Sequence, residues 1–140
     1  MKAVLTDALV RYCGAQTYKF GDGAALSARL IGLVRGGKKR ATCSCVLDVE
    51  ADGAMPEIGR CDIVLNWDDT PALVTRTEEL CWVHFCDMTK EMALMEGEDE
   101  TLAGWLKGHR KFYERCGVFH PKMPLLWERF EMIEDFADVR

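Results

Sequence analysis

Gly37-Lys38-Lys39-Arg40-Ala41-Thr42 sets a glycine turn directly ahead of a segment that alternates apolar and polar residues. A lysine and a hydroxyl therefore enter a strand together, and Thr42 and Ser44, two residues apart, share its polar face. The chemistry this spacing offers is nucleophilic. A partly desolvated ammonium loses some of its preference for charge, and the neutral amine of Lys39 can then take a proton from Thr42 or from water. A surface lysine beside a strand threonine is the alternative that spacing leaves open.

Other residues could complete such a site. His109 falls on one helical stripe with Trp105 and Phe112, as a packing residue or as a pocket member. Phe20 precedes a helix, where an aromatic either staples the first turn or stacks on a base. Glu96, Glu98, Asp99 and Glu100 form an acidic run, able to hold Mg²⁺ through oxygen ligands or to stand as a solvated loop. Arg35, Lys38, Lys39 and Arg40 form a local basic cluster. The seven cysteines are odd in number and sit mostly among apolar neighbours, which predicts buried thiols in a reducing compartment rather than disulfides. Cys43-x-Cys45 and Cys81-x4-Cys86 lack paired C-x2-C spacing, so no zinc site is predicted.

The elements that must position these groups follow from periodicity. Leu26, Leu30, Leu33 and Val34 recur at helical spacing over 24–34, with Asp22 as cap and Gly36-Gly37 as stop. Ala41 to Val49 reads as a strand, interrupted in its alternation by Val46. Cys61 to Trp67 and Ala72 to Glu79 read as a hairpin around Asp68-Asp69-Thr70-Pro71, and Asp52-Gly53 as a turn. Thr89 caps a short helix ending near Glu96-Gly97. Leu102 to Cys116 carries the i, i+3, i+4, i+7 pattern, and Leu125 to Phe136 closes the chain as a strand. Strands first, then helices, then a returning strand predict an α+β domain with a small mixed sheet or barrel.

One domain suits 140 residues, with 1–17 as a candidate N-terminal extension. Hydrophobic residues make up 49% and charged ones 29%, which predicts a folded globule rather than disorder. No apolar stretch is long enough to cross a bilayer, and a cytoplasmic location is predicted. The net charge of −5 excludes a general nucleic-acid coat, since phosphate binding needs several neutralising cations.

The chain resembles the ASCH domains, whose hallmark is a G-x-K-x-x-T/S segment at a helix-to-strand junction, matched by Gly37 to Thr42. The likeness extends to Phe20-Gly21-Asp22, to Asp87 to Gly97, to Trp105 and His109, and to Trp127-Glu-Arg-Phe130. It implies a PUA-like pseudo-barrel with flanking helices and a cleft for RNA or nucleosides. In compact bacterial members it implies cleavage of the amide of N4-acetylcytidine, with Lys39, Thr42 and Glu96 as the catalytic set. Phe20, Asp22, Ser44, Glu98, Trp105 and His109 are then expected around the substrate. Those members carry an arginine two residues after the threonine, where this chain has Ser44. A longer branch of the family implies a metal-dependent single-strand ribonuclease, with Arg35, Lys38 and Arg40 guiding RNA. A regulatory module that senses a nucleotide is the third reading. The expected partner is a small nucleoside or single-stranded RNA, with no membrane and with the chain a monomer or homodimer. No cofactor is expected, Mg²⁺ entering only for a ribonuclease.

Overall fold

The computed structural model describes residues 4–53 and 55–138, so Met1 to Ala3 of the candidate extension lie outside the described residues. Helix α1 (Leu5–Arg11) is followed by a two-residue strand β1 (Thr17–Tyr18), helix α2 (Ala24–Arg35) and strand β2 (Ala41–Cys45). Then come α3 (Val46–Asp52), β3 (Cys61–Leu65), β4 (Pro71–His84), α4 (Lys90–Met95), α5 (Leu102–Arg115) and β5 (Pro124–Asp135). The five strands form one mixed sheet in the order β1-β3-β4-β5-β2, parallel between β1 and β3 and antiparallel elsewhere. The α+β class expected from the element order holds.

The long strands β4 and β5 carry register shifts at Val74/Thr75 and Thr77/Glu79, and such bulges bend and twist a sheet. Residues of both edge strands, β1 and β2, line one cavity, so the sheet is curled enough to bring its edges to a common hollow. Two cores flank it. Trp105 and Tyr113 of α5 and Ala93 of α4 pack with Phe85 against Ala41, Leu125 and Trp127. Leu30, Ile31 and Val34 of α2 pack with Phe20, Val64, Leu73 and Phe130 on the other side. Helix α1 adds a smaller cluster through Ala8, set against Ile63, Val74 and Phe136.

Several local expectations change. The strand read over 41–49 stops at Cys45, and 46–52 is helical. Val46 and Val49, one turn apart, both face Leu126, and Gly53 in the left-handed region (φ 63°) ends the helix. Asp22 does not cap α2; Gly23 holds that position without a side-chain bond, and Asp22 pairs with Arg115 instead. Strand β4 continues five residues past Glu79, because Leu80 to His84 pair in turn with Glu128 to Pro124 of β5. Thr89 does cap α4, accepting from the Met92 amide. The cysteines are all free, but Cys13, Cys86 and Cys116 are exposed and only Cys45 is buried.

Candidate functional site

The loop from α2 into β2 delivers Lys39, and the C-terminal end of α4 delivers Glu96 and, two residues on, Glu98. The two segments are bound to each other: the Arg40 amide donates to the Met95 carbonyl at 2.8 Å. Lys39 is only 1% exposed. Its Nζ donates to the Ala41 carbonyl at 2.8 Å, to Glu98 Oε2 at 2.9 Å and to the Glu96 carbonyl at 3.4 Å. Three donations match the three N–H bonds of an ammonium. The Glu96 carboxylate lies 3.9 Å from Nζ, and the Phe20 ring is 5.6 Å below it.

Glu96 is equally buried. Its Oε2 accepts from the indole N–H of Trp105 at 3.0 Å, and its Oε1 faces His109 Nε2 at 3.4 Å. Trp105 and His109 stand one turn apart on α5 with their rings stacked at 3.9 Å. His109 Nδ1 meets the Trp105 carbonyl at 3.0 Å, so both ring nitrogens point at acceptors, the arrangement that favours an imidazolium. Burial opposes that charge. The hydrogen bond and charge of Glu96, with the charge of Glu98 and the Trp105 carbonyl, outweigh it and raise the pKa above its ordinary value. Burial likewise opposes ionisation of Glu96, yet His109 and Lys39 hold its pKa below the usual carboxylate value. Burial and the nearby Glu96 push the Cys43 thiol well up, so it is not a thiolate nucleophile.

The sign of the resulting pH dependence is fixed. A histidine whose folded pKa exceeds its unfolded 6.5 contributes stability that is complete below that value and fades as pH rises through the folded pKa. The thermal midpoint of wild type relative to His109→Gln is therefore expected to fall across that rise. A difference that stays flat across roughly pH 5 to 8, the range in which histidine titrates, refutes the pairing with Glu96.

Thr42, Ser44, Glu96, Glu98 and His109 all line a cavity of about 590 Å³, within the roughly 300–1,000 Å³ typical of small-ligand sites. Lys39 stands one layer behind, screened by Phe20, Glu96 and Glu98. Of the residues expected around a substrate, Trp105 is fully buried and reaches the cavity only through Glu96. Asp22 is exposed and held by Arg115, itself a wall residue. Phe20 borders the cavity but is 3% exposed, its ring committed to Tyr18 and Phe130. The acidic run is no solvated loop at its start, since Glu96 and Glu98 are bound to Lys39.

The basic cluster does not reach this cavity. Arg35 donates to Asp135 and to the Ala72 carbonyl, Lys38 is exposed, and Arg35 and Arg40 border a separate hollow beside Phe130. Sequence reasoning missed residues at the other end of the cavity: Tyr18, Arg60, Asp62 and Glu128. Asp62 receives Arg60 through two bonds and the Gln16 amide, and Tyr18 meets Thr75 at 2.7 Å. Alternation along β5 was the available signal for Glu128, but it shows a face without saying what that face meets.

Glu96, Glu98 and His109 offer ligand atoms within 4.8 Å of one another. They do not suit Mg²⁺, which demands near-octahedral oxygen coordination. The Lys39 ammonium already occupies the cationic place beside the two glutamates.

A curled mixed sheet with flanking helices and a helix-to-strand lysine beside a walled polar cavity define a PUA-like α+β domain. The sequence profile of the ASCH domain matches residues 16–134, and the chain belongs to that family. A crystal structure of protein EF3133 from Enterococcus faecalis V583, assigned to the family DUF984, is similar with TM-score 0.82 and 26% identity over 95% of this chain and 87% of that one. The ASCH domain from Lactobacillus crispatus JV V101 is similar with TM-score 0.76 and 25% identity over 94% and 87% of the two chains. No curated protein matches significantly. No helix among the described residues is long and apolar enough to cross a membrane.

Proposed function

We propose that the chain is an amidohydrolase of N4-acylated cytosine nucleosides, acting in the cavity bounded by Thr42, Glu96 and Glu98. The observation that carries this reading is the juxtaposition of a strand hydroxyl with a buried, charge-balanced carboxylate pair in one nucleoside-sized hollow. The Thr42 hydroxyl, or a water it holds, adds to the acyl carbon. Its proton passes to Glu98, which faces the cavity and is bonded at 2.9 Å to the Lys39 ammonium. Collapse breaks the C–N4 bond and N4 takes the proton, releasing the cytosine nucleoside; after attack by water the free acid leaves at once, and after attack by Thr42 a water hydrolyses the acyl-threonine ester to release it. Lys39 acts here through Glu98 and Glu96 rather than by touching substrate. Trp105 and His109 fix Glu96 in place, as positioning residues.

Lack of an arginine at position 44 does not leave the cavity without cations, since Arg29 and Arg115 also line it. RNA is the weaker reading, because Arg35, Lys38 and Arg40 lie away from the cavity. Purified protein is expected to release cytidine from N4-acetylcytidine, and Thr42→Val to do so roughly 10²–10⁴ times more slowly while folded, the range for a lost proton-transfer or nucleophilic group. A folded wild type inert on a panel of N4-acyl cytidines removes the proposal.

A further inference from the structure

Within that proposed activity, we infer that Glu128 is the residue that reads the cytosine base, binding its N3/N4–H edge so that the acyl group on N4 rests over Thr42. The inference rests on strand register. Thr42 of β2 lies directly opposite Glu128 of β5, and directly opposed residues of an antiparallel pair project from one face with Cβ atoms about 4.5–5.5 Å apart. Ser44 and Leu126, the next facing pair on that side, also line the cavity, so this face of the sheet is its floor. A base pinned at Glu128 has its acyl carbon one bond beyond N4, within reach of the neighbouring hydroxyl.

Three other carboxylates on the wall are spent: both oxygens of Glu96 face Trp105, His109 or Lys39, Glu98 is bound to Lys39 and Asp62 to Arg60. Glu128 is not. Its Oε2 accepts from Thr77 at 2.6 Å, and among the described residues no group bonds its Oε1. The groups around it are Thr77 from β4, Tyr18 from β1, Thr42 from β2, and Arg60 with Asp62 at β3. Arg60 is turned to Asp62 in a two-pronged pair and leaves Glu128 without a cation of its own. Burial pushes its pKa up, with Asp62 adding to the rise, against the opposing Thr77 bond and Arg60 charge.

A carboxyl that keeps its proton offers one donor and one acceptor side by side. Cytosine offers the complement, an acceptor at N3 beside a donor at N4. With the Thr77 hydroxyl donating to Oε2, the carboxyl proton is held on Oε1, so uracil, which offers a donor at N3 beside the O4 acceptor, forfeits one of the two bonds and leaves a polar group unpaired. Glutamine presents the same donor and acceptor pair as the protonated carboxyl, whereas leucine presents neither.

The test is calorimetric binding of cytidine and uridine, which carry no acyl group and so report on recognition apart from catalysis. Wild type is expected to bind cytidine more tightly than uridine by roughly tenfold to a hundredfold, the discrimination of a good bidentate pair. Glu128→Leu is expected to lose that preference, and Glu128→Gln to keep it. Wild-type affinity for cytidine should fall with rising pH as the carboxyl loses its donor, and the Gln variant should not follow. Equal binding of the two nucleosides by wild type, or a preference that survives Glu128→Leu, overturns the inference. Catalytic failure is separable: a protein that prefers cytidine through Glu128 yet never cleaves N4-acetylcytidine sinks the proposed hydrolysis and leaves the base reader standing.

Discussion

Lys39→Met is expected to destabilise the fold by roughly 3–5 kcal/mol, the cost of leaving partners of a buried ion pair uncompensated. The substituted chain would retain the length of the side chain and lose only the charge and its donors. Glu98 would then lose its 2.9 Å partner, Glu96 the positive charge 3.9 Å from its Oε1, and the Ala41 carbonyl its donor. Urea unfolding of the single variant, set beside Lys39→Met combined with Glu96→Gln and Glu98→Gln, checks the cause. Removing the orphaned charges should recover part of the loss, since residues in one network do not contribute additively. A single variant within about 0.5 kcal/mol of wild type, the range of an ordinary surface change, contradicts the ion cluster. Hydrolysis should be lost in both proteins, because the single variant strips Glu98 of its Lys39 partner and the triple variant removes that carboxylate.

Gly97→Ala is expected to be comparably severe for a different reason. Gly97 has φ 72°, and a Cβ added there would fall 2.3 Å from the Lys38 carbonyl oxygen and 2.7 Å from the Lys39 amide nitrogen. Those are backbone atoms held by bonds to Leu33 and so cannot swing aside. Left-handed strain and overpacking together cost roughly 2–6 kcal/mol. The shift needed to relieve the clash would part the two segments that carry Lys39 and the carboxylates, so cytidine release should fall with stability. Gly37→Ala is the control: its φ is 78° but nothing lies within 4 Å of the added Cβ. It should lose only about 1 kcal/mol, the backbone cost alone. Equal melting temperatures for Gly97→Ala and Gly37→Ala would refute the close approach.

The same close approach explains what could be read from the residues alone. Helix α5 and the cap at Thr89 were legible, because periodicity and capping are local. The Gly37 to Thr42 segment was legible as a turn entering a strand for the same reason. That Lys39 would be sealed behind Glu96 and Glu98 was not, because it depends on Gly97 meeting Lys38 across more than fifty residues of chain. Trp105 looked like a ligand contact because an aromatic beside a histidine suits either wall or core; its indole N–H found Glu96 instead. The strand over 41–49 was overread for want of tertiary context, since Val46 and Val49 fit helical spacing only once Leu126 is known to lie beneath them. Glu128 escaped notice because register between β2 and β5 is written nowhere in either strand by itself.

One contact at the rim is weaker than the walls it joins. Arg115, at the end of α5, reaches Asp22 ahead of α2 at 3.2 Å, both side chains largely in solvent. An exposed pair of this kind contributes only about 0.2–1 kcal/mol. The two helical layers are thus joined at the rim by a weak surface pair, while the floor of the chamber is a hydrogen-bonded sheet and its rear wall a sealed ionic knot. Thermal motion parts this latch far more readily than the masonry behind it.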